Sequence, residues 1–296
     1  MLYLIISIFL SVILLVNFRI FPRFDINTAQ AIGLNYTACF ILGFLLIPDG
    51  QSFHFDLSQN WTWYCLALGI GFIITFILSG LSTQKAGMTA TSLANNLSLV
   101  IPVLASLLLY NTQSKEFDFY NILGLCLAVA AVGLSTYKKP EKRFDKRSLY
   151  LPLAVFVMYG ITNSAINYIN LKFIPNPELV IPVTLVMVLG AQVSGMLLLL
   201  YRYLKFKEGL SLKNIIAGIS LGIPNFLSFY FLILCLTAFG NSGAFVYPIY
   251  NMGVILVSAA IGIFFFKEQL SLLNKIGLAL GLLAIVLLSY QELGIG

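Results

Sequence analysis

Charge is scarce in this chain. Only 9% of its 296 residues are Asp, Glu, Lys or Arg, while 59% are hydrophobic. An ordinary soluble domain carries about 25% charged residues. Too little polar surface exists here to face water, so a soluble domain is excluded. Histidine occurs once, as His54 beside Asp56 in a polar segment. No metal cluster, paired carboxylates or nucleophile elbow accompanies it, which argues against an enzyme and leaves no cofactor signature. The four cysteines (Cys39, Cys65, Cys126, Cys235) fall inside apolar runs without metal-ligand spacing, and read as small packed hydrophobes. The N-terminus lacks a basic leader and a small-residue cleavage site, so MLYLIISIFLSVILLVNF reads as a retained first helix.

What the chain has instead is long apolar runs. Crossing about 30 Å of hydrocarbon takes about 20 apolar residues. Ten segments qualify, near 2–18, 27–47, 61–82, 86–110, 119–137, 149–171, 179–201, 214–238, 241–266 and 273–291. No charged residue falls in the middle of any of them; Lys172 and Lys275 lie at span edges. A net charge of +6 would suggest nucleic acid in a soluble chain. Here the basic residues lie in short loops and report membrane orientation, so no nucleic-acid partner is expected. Fifteen of the 17 lie on one face, six of them in KKPEKRFDKR after the fifth span; only Lys115 and Lys172 lie on the other. Basic loops stay in the cytoplasm, which places both termini outside. Membrane lipids are the surroundings, and short loops fit a bacterial inner membrane.

The chain also matches itself when shifted by 153 residues. Ser11 falls on Ser164, Asn17 on Asn170, Pro22 on Pro175, Leu68-Gly69-Ile70 on Leu221-Gly222-Ile223, Gly87 on Gly240, Asn121 on Asn274, Gly124-Leu125 on Gly277-Leu278 and Tyr137 on Tyr290. Five spans per copy is an odd number, so the second copy must insert upside down. The expected fold is therefore an all-α integral membrane protein, ten transmembrane helices in two inverted five-helix repeats: 1–137, a basic cytoplasmic linker over 138–148, and 149–296. Inverted repeats exchange conformations to open one site to either side, which is the logic of a secondary transporter.

The repeat ends carry a family resemblance. Phe266-Lys-Glu268, then Gly277, then an apolar helix ending Leu288-Ser-Tyr290 resembles the closing pattern of EamA-type members of the drug/metabolite transporter superfamily. Lys115-Glu116, Gly124 and Tyr137 form a weaker copy. The resemblance implies that helices 1–4 and 6–9 surround a central cavity, with 5 and 10 peripheral. Small multidrug carriers of that superfamily use a Glu in their first helix for proton antiport. The first span here has no acid and nor does its mate, the sixth, so antiport by that route is not expected; a facilitator, an exchanger, or coupling through a span-edge acid such as Glu178 or Glu268 stays open.

Without charges, the amides and tyrosines inside the spans are the candidate substrate-binding residues. They are Asn35 and Tyr36 in the second span, Asn95 and Asn96 in the fourth, Asn163 and Asn167 in the sixth, Asn225 in the eighth, and Tyr247, Tyr250 and Asn251 in the ninth. Asn163/Asn167 and Tyr247/Asn251 are each spaced i, i+4, on one helix face. Pro102, Pro224 and Pro248 are expected to interrupt the ladder nearby. The competing reading is that Asn and Ser simply join helices. An uncharged, amide-lined cavity suits small neutral or zwitterionic metabolites such as amino acids, nucleosides or sugars, carried by a monomer or homodimer. A channel-like pore or a membrane receptor is the alternative.

Overall fold

The computed structural model describes residues 1–47, 53, 55–102, 118–136, 147–173, 180–239 and 243–291. Among them every regular element is a helix: α1 (Leu2–Ile20), α2 (Thr28–Leu45), α3 (Asn60–Lys85), α4 (Met88–Leu97), α5 (Phe119–Thr136), α6 (Arg147–Phe173), α7 (Val180–Phe206), α8 (Leu212–Ala238), α9 (Gly243–Phe264) and α10 (Leu272–Leu288). Six described segments are long and apolar enough to cross a membrane, the longest in α3, α7 and α8; α5 and α10 are shorter and equally apolar. His54, Lys115, Glu116, Glu178 and the linker over 138–146 lie outside the described residues.

Two expectations change. The fourth span was expected to run as one helix over 86–110, but α4 stops at Leu97 and helical backbone resumes at Val100; 103–110 lie outside the described residues. The Asn95 carbonyl is taken by Ser98, whose backbone N–H and Oγ both donate to it, at 3.2 and 2.5 Å. That local bond closes the helix four residues before Pro102. In contrast, α8 and α9 run unbroken through Pro224 and Pro248. Proline removes one ladder bond, and packing on both sides of it keeps these helices whole.

The contacts divide into two compact units. One comprises Met1–Arg19, Leu78–Gly160 and Ser228–Gly296; the other comprises Ile20–Ile77 and Ile161–Leu227. Each draws on both halves of the sequence, and α3, α6 and α8 begin in one unit and end in the other. The three most extensive helix pairings are α5–α10, α2–α7 and α4–α9. Each joins a helix to the one 153 residues further on.

In the first unit the α5–α10 pairing is reciprocal. Asp118 and Ser271, 153 apart, cap the two helices: the backbone N–H of Asn121 donates to Asp118 Oδ1 (3.1 Å) and that of Asn274 to Ser271 Oγ (3.2 Å). Each asparagine Oδ1 accepts the backbone N–H of its own cap residue in return, at 3.2 and 3.0 Å, the capping-box arrangement. The two Nδ2 groups then reach across. Asn121 donates to Leu287 O (3.4 Å) and Leu288 O (3.3 Å) at the end of α10. Asn274 donates to Leu134 O (3.1 Å) and Ser135 O (2.9 Å) at the end of α5. One side chain thus closes the start of its own helix and the end of its partner's. Gly124 and Gly277 bring the backbones together between these caps. A Cβ on Gly124 would sit 3.2 Å from Ala284 O, and one on Gly277 2.9 Å from Ala131 O. Small residues at such crossings let helices pack closely where the hydrophobic effect gives no drive.

The start of α4 is held differently. Its cap residue is Gly87, at φ +108, which has no side chain to offer. Glu268 supplies the missing acceptor, taking the N–H of Met88 (2.6 Å) and both the N–H (3.3 Å) and Oγ1 (2.9 Å) of Thr89. A carboxylate on a helix N-terminus also complements the dipole. Glu268 of the Lys267-Glu268 pair is therefore a helix cap, and its carboxylate is engaged. Arg19 closes the neighbouring end of α3 through Thr83 O (3.3 Å) and Gln84 O (3.0 Å), while Gln84 Nε2 donates back to Phe18 O (3.2 Å).

In the second unit α2 packs on α7 through glycine. A Cβ on Gly195 would lie 2.6 Å from Gly33 O. Gly69 and Gly190 make a similarly close backbone contact between α3 and α7. Cys65, Leu68, Ile169, Val183, Val186 and Met187 form its buried apolar cluster. The α7–α8 turn is tied by Glu208, which accepts from Arg202 Nε and Nη2 (both 2.8 Å) and Asn27 Nδ2 (3.0 Å). The hydrogen bonds from Arg202 hold the Glu208 carboxyl below its ordinary pKa.

Asn121→Ala and Asn274→Ala each remove an interhelical cap and are expected to cost about 1–2 kcal/mol. SDS-titrated unfolding of the purified protein measures this. An unmoved midpoint in both variants would contradict the reciprocal cap as a source of stability.

Candidate functional site

The candidate residues divide between the two units. In the second unit, Asn35 on α2 is fully buried at 0% exposure. Its Oδ1 accepts from Asn225 Nδ2 on α8 (3.2 Å) and, weakly, from the Cys39 thiol (3.7 Å). Asn225 Nδ2 also lies 3.4 Å from Cys39 Sγ, and that thiol donates to Gly222 O on α8 at 3.4 Å. The other half of the Asn35 amide, Nδ2, has no hydrogen-bond partner. Tyr36, next along α2, lies parallel to Phe72 at 6.3 Å and tilted on Phe76 at 5.6 Å. The structure therefore brings the candidates Asn35 and Asn225 together, with Tyr36 beside Asn35 on α2 turned to Phe72 and Phe76. Asn163 and Asn167 sit one turn apart on α6, half-buried, in the same unit.

Two residues of this layer escape a reading by asparagine clusters. Thr37 Oγ1 and Gln192 Oε1 are buried without a hydrogen-bond partner. Gly33 packs on Gly195 and Gly43 on Leu185, and these two points fix an antiparallel register that puts Gln192 level with Asn35–Thr37. Thr37 is four residues from Gly33 and so faces α7; Gln192, Gly195 and Leu199 are spaced i, i+3, i+7 and so face α2. Four buried side-chain atoms lack a partner among the described residues, and three of them lie in this one layer. The fourth is Thr83 Oγ1. Each such atom costs about 1–3 kcal/mol. The one sequence signal for Gln192 was an amide in the middle of an otherwise apolar helix.

The first unit holds the remaining candidates, and here the readings change. Asn96 Nδ2 donates to Ser92 O (2.7 Å) and Ser92 Oγ (3.4 Å), one turn back on its own helix. Its Nδ2 is satisfied locally, by the preceding turn of its own helix. Asn95, half-buried beside it, contributes its carbonyl to the helix stop. Tyr247 and Asn251 keep helical i, i+4 spacing but not one environment: Tyr247 is 43% exposed and Asn251 6%. Tyr250 shares a 2.6 Å hydrogen bond with Ser11 of α1. Ser79 Oγ donates to Tyr159 OH at 3.4 Å, and Ser7 Oγ to Ser228 O at 2.6 Å. The hydroxyls of Ser11, Ser79 and Tyr159 were not singled out from sequence, because isolated Ser and Tyr are common in apolar helices. The first unit is thus joined by hydroxyls that find one another, whereas the second carries amide atoms left unmatched.

Among the described residues no group of three His, Cys, Asp or Glu comes together to hold a metal. Among the described residues no Asp, Glu, Lys, Arg or His comes into the Asn35 layer, so what it can do chemically is accept and donate hydrogen bonds to an uncharged group. Gln192→Met keeps the volume and removes an unmatched acceptor. Thermal unfolding is expected at the same or a higher midpoint. A loss above about 1 kcal/mol would mean that the carbonyl has a partner in the folded protein.

No family model matches the chain. A crystal structure of a protein overlays on it with a TM-score of 0.57 at 14% identity, over 98% of each chain, a likeness of fold. A Haemophilus influenzae protein described as uncharacterized is 30% identical over 299 residues, covering 98% of both chains. At that identity over that span, the chain belongs to the same family as the Haemophilus influenzae protein.

Proposed function

We propose that this chain is a secondary transporter of the EamA type, within the drug/metabolite transporter superfamily. It moves small neutral or zwitterionic metabolites by alternating access, with its ten spans arranged as two inverted five-helix repeats. Both termini face outward and the basic loops face the cytoplasm of a bacterial inner membrane. The reciprocal α5–α10 contact supports the inverted arrangement, since two antiparallel helices that exchange the same contacts are what a two-fold axis in the membrane plane would give.

The observation that carries the reading is the unmatched amide layer at Asn35, Thr37 and Gln192. A helix bundle with no ligand gains nothing by leaving an amide N–H, a hydroxyl and an amide carbonyl unsatisfied between apolar helices, where water is scarce. A carrier does, because solute binding supplies the partners and the cost favours the occupied state. The layer has no fixed charge, so a multiply charged phosphate ester would be left unneutralised and is a poor cargo.

The test compares intracellular and medium metabolites by untargeted mass spectrometry in cells expressing the wild type, Asn35→Ala or Gln192→Met. A small set of neutral or zwitterionic solutes shifted by the wild type and not by variants present at equal membrane levels is the expected result. Saturable uptake of those solutes separates a carrier from a pore. Equal shifts with all three proteins would contradict the site, and a phosphorylated metabolite as the main responder would contradict the substrate class.

A further inference from the structure

One end of the second unit is tied by a polar network. Asn27 Nδ2, at the start of α2, donates to Glu208 Oε2 in the α7–α8 turn (3.0 Å), and the Asn27 backbone N–H donates to Asn214 Oδ1 on α8 (3.0 Å). Asn214 Nδ2 donates to Gln30 Oε1 (2.6 Å), and Gln30 Nε2 to Gly209 O (3.3 Å). Asn27 Oδ1 meanwhile caps α2, accepting the N–H of Gln30 (3.3 Å). Arg202, near the end of α7, completes the set through its two bonds of 2.8 Å to Glu208. Gln30 and Asn214 are buried. Asn214 follows Ser211 by three residues, as Asn274 follows Ser271, and likewise bonds a second helix.

The sequence repeat does not copy this network to the opposite end of the unit. A shift of 153 residues turns Asn27 into Val180, Gln30 into Val183, Asn214 into Trp61 and Glu208 into Phe55. Val183 and Trp61 belong to the apolar cluster there, and the Phe53 ring meets those of Phe40 (5.7 Å), Phe44 (6.4 Å) and Phe55 (6.4 Å). Apolar contact is non-directional and survives sliding, whereas a buried polar network holds only with its partners in place. Inverted repeats with equal ends would favour neither side of the membrane. These ends are unequal. The helices that carry the network also carry the amide layer: Asn35 and Thr37 follow Gln30 on α2, Gln192 precedes Arg202 on α7, and Asn225 follows Asn214 on α8.

We propose that the Asn27–Gln30–Glu208–Asn214 network is a cytoplasmic clamp, which keeps the inner ends of α2, α7 and α8 together in the resting protein so that the amide layer opens first to the outer side. The proposal rests on the carrier reading, and on Arg202, Lys205, Lys207 and Lys213 marking this end as cytoplasmic. Inward opening then requires the bonds of Asn27 and Gln30 to break together, because Asn214 holds both.

The sidedness of Cys39, which lies on α2 between clamp and outer end, tests this. The chain with Cys65, Cys126 and Cys235 replaced by alanine is treated with membrane-impermeant sulfonatoethyl methanethiosulfonate, in right-side-out and in inside-out vesicles. Cys39 is expected to react about tenfold faster from the outer side. Glu208→Gln keeps the shape but puts a donor where an acceptor is needed, and Asn214→Ala removes the central amide. Each is expected to raise the inner rate about tenfold, as loss of one or two hydrogen bonds requires. Asn274→Ala, which loosens the first unit instead, is expected to leave both rates unchanged. Equal rates from the two sides in the parent chain would overturn the clamp and leave the carrier reading standing. An inner rate unmoved in both Glu208→Gln and Asn214→Ala, with the protein intact in the membrane, would do the same. An inner rate raised as much by Asn274→Ala would overturn the clamp by showing general loosening. A Cys39 that reacts from neither side in the parent chain or the variants, yet labels fully after denaturation, would overturn the carrier reading and the proposal with it.

Discussion

Asn121 and Asn274 each sit at the third position of a helix and reach the last carbonyls of the opposite one. Helix ends are the most exposed polar features of an apolar bundle, because the first N–H groups and last C=O groups have no partner along the helix. In hydrocarbon that deficit cannot be left to water. Here one asparagine per helix settles both ends of the pair, and the arrangement works only if the helices are antiparallel, in register and close. Gly124 and Gly277 provide the closeness. The same solution recurs with other chemistry where asparagine is absent: Glu268 closes the start of α4, and Arg19 the end of α3.

Among the described residues, three of the four buried side-chain atoms without a partner lie in one layer of the second unit. The hydroxyls of the first unit pair with one another, Ser11 with Tyr250 and Ser79 with Tyr159. The second unit leaves Asn35 Nδ2, Thr37 Oγ1 and Gln192 Oε1 without partners around α2. Stability alone would fill these positions with Leu or Ala, as it does elsewhere along the same helices. A layer that costs stability at a single depth, on helices packed through glycine, has the character of a site whose partners arrive from outside.

Much of this was legible in the sequence, for identifiable reasons. The 153-residue match already paired Asn121 with Asn274 and Gly124 with Gly277, because cap residues and close-contact glycines have few substitutes. What it could not give is that each asparagine serves its mate's helix, since that depends on which helices touch. Asn35 and Asn225 were legible because a buried amide needs a partner. Gln192 was not, because an unmatched atom is a property of its surroundings. Asn96 Nδ2 finds its partner on its own helix, at Ser92, which spacing alone does not show. Tyr247 and Asn251 share a spacing, but only tertiary packing decides that one is buried and the other exposed. The proline positions misled in the other direction, since α9 carries Pro248 without breaking, while a serine ends α4.

Cys39 offers the most direct test, because its thiol lies within the layer, against Asn35 and Asn225. With Cys65, Cys126 and Cys235 replaced by alanine, the rate of Cys39 modification by N-ethylmaleimide in native membranes reports whether the layer opens. A layer that exchanges between the two sides is expected to react slowly but completely, and to change rate when a transported solute is added. A Cys39 that stays inert in the native membrane, yet labels fully once the protein is denatured, would contradict the account and leave these amides as permanently buried packing.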